Sequence, residues 1–379
     1  HTAVEAGARA AARHVIIGMT RNRSAGDRKF LSGGAVMSQG TELDKANRMR
    51  WDGGKGHYEV YYLTFNHLES GCGFWIRHTM NAPLDGRDAY FQMWFSCFDP
   101  SDPGKSFGVK KKFAAAEMEK ADAPFRLSIG ESHLENGRLK GRLSGGGREA
   151  SWDLEYSFGG KPHLHLPEMF YKNDIADTTV LSPKVSARFT GTIEADGRRF
   201  ELKGDPGCQT HLWGRKHARR WAWGHCNAFD GHPDSVFEGL TVHLKKAGLS
   251  LPPISVLYFK HAGEEYRFTE LATAILGCKG EFETGRWAFS AKDATRMVKG
   301  EITCADADMI RADYSDPDGE PSFCHNTEIA RARLTFYKRK HIFDGWSEID
   351  SIESGKAAHV EFAGRAADPK VKNVIQDIT

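Results

Sequence analysis

The chain has 379 residues, with 52 Lys plus Arg against 50 Asp plus Glu, a formal net charge of +2. That near balance excludes the basic stripe expected of a nucleic-acid protein, and the length exceeds what one hydrophobic core usually spans. No apolar run approaches the roughly 18 residues that would suggest a membrane span.

The seven cysteines, Cys72, Cys97, Cys208, Cys226, Cys278, Cys304 and Cys324, are odd in number and include no Cys-x-x-Cys. This argues against a disulfide framework or zinc knuckle and favours a reducing, cytoplasmic location. No signal-peptide pattern is visible at the N-terminus.

Ala3 to Ile17 is rich in Ala and Arg without Pro, which predicts a helix. Residues 22–56 are polar and Gly-rich and read as a lead-in. Strand signals then dominate: Tyr58 to Phe65, Cys72 to Thr79, Ala89 to Phe98 and Ser106 to Phe113 are aromatic and branched. Ala114 to Lys120 suits a short helix, and Phe125 to Phe158 a further meander turning at Asn136-Gly137 and Gly145-Gly146-Gly147. Gly160 to Pro183 reads as a crossing loop, and Val185 to Gly204 as a hairpin across Asp196-Gly197. The second half repeats the texture, with strands expected at Val236 to Lys245, Ser255 to Lys260, Tyr266 to Ala272, Arg286 to Ser290, Lys299 to Ala305, Ile329 to Tyr337 and Ala357 to Gly364. Many short strands indicate barrels or sandwiches.

Between these halves lies the most informative stretch, Gly207 to Phe229. Trp221, Trp223, His225, Asn227 and Phe229 alternate with Ala222, Gly224, Cys226 and Ala228. A strand throws these two sets to opposite faces, one large and polar-tipped, one nearly bare. The rich face suits a pocket wall, and the bare face lets another layer of chain approach closely. His211 and Trp213 share a parity before the turn, with Gln209 in register, so the expected site places His211 and His225 as catalytic groups in one cavity.

Three further groups are candidates. Trp75 and Arg77 alternate on one strand and Trp94 on the next, where the Arg could clamp a carboxylate or stack on an indole. His325-Asn326 follows the turn Asp316-Pro317-Asp318-Gly319 and is expected near a barrel mouth. His163-Leu164-His165 has the spacing of two zinc ligands, but no third ligand is evident nearby and Pro162 and Pro167 mark a loop, so no metal is expected. Gly-x-Gly-x-x-Gly after a strand, a phosphate loop and Gly-x-Ser-x-Gly are all absent.

Ser182-Pro183-Lys184, Gly191, Gly207, His211-Leu212-Trp213-Gly214 and Trp221 to Asn227, with Ile129-Gly130-Glu131-Ser132 through Trp152-Asp153-Leu154, resemble the AttH and carotenoid 1,2-hydratase family. That family is related to tocopherol cyclase and to fungal cofactor-free cyclases. The resemblance covers roughly residues 57–340. It implies an all-β fold of two consecutive lipocalin-like antiparallel barrels. With the N-terminal helix and lead-in as 1–56, the barrels are expected over 57–204 and 205–379. It also implies cofactor-independent isomerase, cyclase or hydratase chemistry on a hydrophobic unsaturated isoprenoid or polyketide. The alternative it implies is a non-catalytic lipid or pigment carrier. The implied partner is a hydrophobic small molecule rather than nucleic acid, with transient membrane contact and oligomeric state left open. In one respect the sequence departs from the hydratase pattern, which places a carboxylate a few residues before Trp-Gly. Here the nearest preceding acid is Asp205.

Overall fold

The computed structural model describes residues 41–157, 161–172, 176–246, 249–250 and 252–379. The helix expected over Ala3–Ile17 lies outside them. Nearly every described element is an antiparallel strand, as the texture predicts, and the strands form two large sheets. No helix among the described residues is long and apolar enough to cross a membrane. All seven cysteines are free thiols.

The two sheets share one plan. In the first, His57–His67, Cys72–Ala82, Tyr90–Phe98 and Phe107–Ala114 form a meander. A second meander leads to Arg148–Tyr156, and the long hairpin Thr178–Ala195 and Arg198–Gly214 brings the chain back onto His57–His67. The second sheet begins at Arg220–Cys226, continues through Val236–His243, Ile254–His261 and Glu264–Phe268, and closes the same way. Its long hairpin, Pro321–Lys338 and Ser347–Gly364, returns onto Arg220–Cys226. A sheet whose last strand pairs with its first curls toward a barrel, although in both sheets two edge strands stay unjoined among the described residues. The chain passes from one sheet to the other between Gly214 and Arg220. Residue 205, where the halves were expected to divide, lies inside the strand Arg198–Gly214.

Several local expectations need correction. Ala114 to Lys120 is not a helix but a single 3-10 turn, Ala115–Glu117, leading into the strand Met118–Asp122. The lead-in contains the helix Glu42–Asn47, whose Thr41 hydroxyl accepts from the Asp44 amide while the Asp44 carboxylate accepts from the Thr41 amide. The crossing loop carries a strand at His163–Leu164 and a helix at Glu168–Lys172. Tyr266 to Ala272 divides into a strand ending at Phe268 and the helix Leu271–Leu276. At the C-terminus, Asn373–Val374 pairs in parallel with the second sheet and Gln376–Asp377 with the first, so the tail stitches the two together.

Each sheet has its own apolar core, and a third cluster lies between the sheets. Ala222 and Cys226 join the second sheet's core, while Trp221 and Trp223 join the cluster at the seam. The bare face does allow close approach: a Cβ on Gly224 would lie 2.8 Å from Ile302 and 3.0 Å from Trp287.

The long hairpins carry β-bulges, with register shifts between Leu181 and Ala187 in one and between Thr327 and Ala332 in the other. Bulges bend a strand and re-aim its groups. Here they turn Val185, Ser186 and Glu328 into the seam. The backbones meet so closely that a Cβ on Gly73 would lie 2.5 Å from the Glu328 Cβ and 2.9 Å from its carbonyl oxygen. Gly73→Ala should therefore overpack the seam and destabilise the protein by about 2 kcal/mol. Urea denaturation measures this, and an unchanged midpoint would show that the sheets are not held so near.

Candidate active site at the seam between the sheets

The strand register decides which groups meet. Tyr62 lies opposite Arg77, and Arg77 opposite Trp94, on the outer face of the first sheet. Trp223 lies opposite Glu361, and His225 opposite both Glu238 and His359, on the facing side of the second. Trp75, Arg77, Trp94, Trp221, Trp223 and His225, six of the expected site residues, thus meet in one buried layer. The layer lies between the barrels, not inside one.

A cavity of about 80 Å³ opens in this layer, lined by Tyr58, Arg77, Trp94, His217, Tyr314 and neighbouring polar residues. The Arg77 guanidinium lies 4.1 Å from the Tyr314 ring centroid and within 5.6 Å of Trp75 and Trp94, and its Nε donates to Thr79 Oγ1 at 2.9 Å. Of the two roles weighed for Arg77, stacking is therefore present, and the guanidinium also borders the cavity. The Tyr314 hydroxyl and the Trp94 indole N–H are buried without a hydrogen-bond partner in the protein. They leave two donors for an oxygen-bearing ligand.

His217 stacks on Tyr58 with ring centroids 4.1 Å apart and on Trp221 at 5.3 Å. Asp316 Oδ1 accepts from His217 Nδ1 at 2.6 Å, and Arg365 holds Asp316 Oδ2 at 2.8 Å. The carboxylate fixes the tautomer and leaves Nε2 with the lone pair. Burial lowers the His217 pKa, Asp316 opposes this only in part, and the ring is neutral at pH 7.

Glu361 is one side chain removed from the cavity wall. Trp221 Nε1 donates to its Oε2 at 3.4 Å. Burial raises the Glu361 pKa, and Arg77, Trp221 and Cys324 pull back only in part. The sequence offered no route to either group. His217 and Asp316 are 99 residues apart, and each reads alone as an ordinary turn residue.

The remaining expected residues have other work. His225 does face the seam, but its Nε2 donates to the Val185 carbonyl at 2.7 Å and its Nδ1 lies 3.1 Å from His359 Nδ1. Asn227 donates to Ser186 Oγ and to the carbonyls of Ala187 and Gly207, pinning the second sheet to the first. Asn326 is tied to Cys324 and Ile310. His325 Nδ1 lies 3.1 Å from the Phe362 carbonyl, and its Nε2 accepts from the Asp368 amide.

His211 and His225 do not share a cavity. His211 points to the other side of the first sheet, where its ring stacks on Tyr61 at 4.1 Å. Gln209 joins it there, bonded to Asn47 and Tyr156, and Trp213 lies beneath the Arg50 guanidinium. The parity shared by His211 and Trp213 was real, but the turn at 215–219 carries the chain into the second sheet.

These geometries stand beside three comparisons. Residues 183–356 match the Tocopherol cyclase-like family model. Over this stretch the chain is similar to tocopherol cyclases. It is 28% identical over 176 residues to the chloroplastic tocopherol cyclase of Zea mays, covering 44% of this chain and 36% of the maize protein. An uncharacterised protein of Mycobacterium tuberculosis is 24% identical over 300 residues, 79% of this chain and 86% of the relative. Among solved structures, AttH of Nitrosomonas europaea aligns with a TM-score of 0.48 at 13% identity, over 82% of this chain and 93% of its own. Kievitone hydratase of Nectria haematococca aligns with the same TM-score at 7% identity, over 85% and 92%.

Two buried glutamates outside the cavity behave oppositely. Glu59 accepts from the Arg50 and Trp51 amides, the Tyr61 hydroxyl and His211 Nε2. Burial pushes its pKa up, but the His211 and His57 bonds and the Arg50 amide outweigh this and hold it well below the ordinary 4.5. Burial pushes His211 down and Glu59 pushes it back. Geometry decides in favour of the cation, because both ring nitrogens face acceptors, the Ala46 carbonyl and the Glu59 carboxylate. Glu328 is different. Its Oε2 is buried without a hydrogen-bond partner, and burial raises its pKa well above 4.5, with Glu361 adding to the rise.

The stabilising effect of Glu59 is present above pH 4.5 and is lost as pH falls through its depressed folded value. Glu328 favours the folded state only at low pH and costs stability as pH rises above 4.5 toward its folded value. At pH 7, Glu59→Gln should cost about 3 kcal/mol, since it strips the partner from a buried cation. Glu328→Gln should be neutral or stabilising. Thermal melts of both variants at pH 4 and pH 7.5 check this. Equal losses at pH 7.5 would contradict the assignment.

Proposed function

We propose that this protein is a cyclase or hydratase that adds an oxygen nucleophile across a carbon–carbon double bond of a hydrophobic small molecule, an isoprenoid or polyketide. The observation that carries this reading is a neutral base, His217, in the wall of an aromatic cavity and a buried acid, Glu361, whose pKa burial raises, on the other side of Trp221. Pairs of groups whose surroundings push their pKa values apart make acid and base assignments. Glu361 gives its proton to an alkene carbon. The developing carbocation lies against the Trp and Tyr faces, each of which can stabilise a desolvated cation by about 2 kcal/mol. His217 Nε2 takes the proton of the attacking O–H, from water in hydration or from a substrate hydroxyl in ring closure. Arg77 and the Tyr314 hydroxyl hold an oxygen of the substrate. One C–H and one C–O bond form, one π bond is lost, and no electron acceptor is needed. Proton exchange with solvent resets both groups.

The match to the tocopherol cyclase-like family supports this class of reaction. A carrier is less well supported at the seam, where the cavity of about 80 Å³ is far below the roughly 300–1,000 Å³ of sites that enclose whole drug-sized ligands. Only the reacting end of a long substrate enters it.

The test is incubation with prenylated phenols and polyenes in deuterated water, read by mass spectrometry. Ring closure should place one deuterium on carbon, and hydration should also add the mass of water. Glu361→Gln and His217→Gln should each lower kcat by about 10²–10⁴-fold while the fold is kept. The rate should fall at low pH as His217 gains a proton and at high pH as Glu361 loses one. Unchanged turnover in both variants would refute the assignment.

A further inference from the structure

The structure assigns a second site: we infer that His163, His165 and Glu238 form a binding site for a zinc-type divalent metal that clamps the crossing segment 161–172 onto the second sheet. This departs from the expectation that no third ligand stands near the His-x-His motif. The third ligand comes from far along the chain, on the strand Val236–His243.

His163 and His165 alternate about Leu164, so their rings project to the same side. The rings lie 4.8 Å apart between centroids. The metal-ligating atoms of His163, His165 and Glu238 lie within 4.8 Å of one another, and all three residues are buried, at 3%, 1% and 0% exposure. Two imidazoles and one carboxylate, with a fourth position left to water, are a common zinc ligand set.

The polar accounting favours a shared cation. His165 Nε2 lies 3.2 Å from Glu238 Oε1, yet neither nitrogen of His165 makes a hydrogen bond of acceptable geometry. Glu238 Oε2 is buried and unpartnered as well. An ion pair with a protonated His165 would satisfy Nε2 alone and still leave Nδ1 and Oε2 without partners. A buried polar group left unmade is costly, and a metal ion would take up one His165 nitrogen and Glu238 Oε2 together.

The surroundings also suit a metal. Ser182 Oγ donates to Glu238 Oε1 at 2.6 Å and Trp223 Nε1 donates to it at 3.3 Å, which orients the carboxylate and leaves Oε2 for the ion. His163 is braced by Tyr258, 4.6 Å away between ring centroids. A nearby cation is Arg267, whose NH1 reaches His163 Nδ1 at 3.5 Å while Nε and NH2 already bind Glu265 Oε2 at 3.0 and 2.7 Å. It can keep Glu265 and give up His163.

The site joins the two sheets. His163–Leu164 pairs with the first sheet at Ser182 and Leu181, while Glu238 belongs to the second. A bound ion should therefore raise the melting temperature.

The experiment is metal analysis of full-length protein purified from zinc-supplemented medium, followed by chelator stripping and titration with Zn(II) and Co(II). One equivalent of Zn(II) should bind, and stripping should lower the melting temperature reversibly. His165→Ala and Glu238→Gln should each weaken Zn(II) binding at least tenfold, and His163→Gln should do the same if either of them fails to fold. His261→Ala, in the separate group His232, His261 and Asp350, should leave it unchanged. The Co(II) form should show visible d–d bands without a thiolate charge-transfer band. That band would instead place the ion at Cys208, His225 and His359 and overturn the proposal. No binding to the stripped wild-type protein, or full binding retained by the folded variants, would overturn it as well.

Discussion

The structure depends on how two curved sheets can be laid against each other through a polar layer. Such a layer holds only if its donors and acceptors are matched, because an unpaired buried group costs about 1–3 kcal/mol. The bulges supply much of the matching. One presents the Val185 carbonyl to His225, and Ser186 and Ala187 to Asn227; the other presents the Glu328 carbonyl to the Asn66 amide at 2.6 Å. Each bond crosses the seam, so together they fix the register of one sheet on the other. Sliding the sheets would break several at once.

The same accounting marks where the layer is not self-sufficient. Near the cavity the Trp94 indole and the Tyr314 hydroxyl lack partners, and the Trp75 indole beside Arg77 does too. At the crossing segment both ring nitrogens of His165 and the Oε2 of Glu238 lack them. Elsewhere the histidines that looked catalytic are bound into the frame. His211 and Glu59 form a buried ion pair that also takes in the Ala46 carbonyl at the end of the first helix, so the short lead-in helix is held by the barrel wall.

Strand alternation made much of this legible. The run from Trp221 to Asn227 separates the large from the small side chains, whereas Phe229, past the strand's end at Cys226, packs with Ala222 and Cys226 in the second core, and Arg77 and Trp94 stand on neighbouring strands as read. What parity cannot give is direction. It says that Trp223 and Gly224 point opposite ways, not which of them looks into the barrel. The rich face was read as lining a pocket in a barrel. Instead Gly224 faces the packed interior against Trp287 and Ile302, and the large side chains face the other sheet. His217 with Asp316 and Glu361 with Trp221 were hidden for a related reason. Each pair joins residues far apart in sequence, and nothing local in either partner signals the other.

The location of the cavity follows from the same geometry. Inside each barrel stacked rings fill the space, as where Phe95 lies against Trp152 and Phe237 against Phe289. Opening such an interior means parting strands that are hydrogen-bonded along their length. The seam is held by side chains and by scattered bonds to the bulges, with no continuous ladder between the two sheets among the described residues beyond the C-terminal stitch. Admitting the end of a substrate there displaces side-chain contacts and leaves the ladders whole. For the proposed reaction this sets a neutral base and four aromatic faces where a greasy molecule can reach them without unfolding either barrel, with the desolvated acid Glu361 one side chain behind.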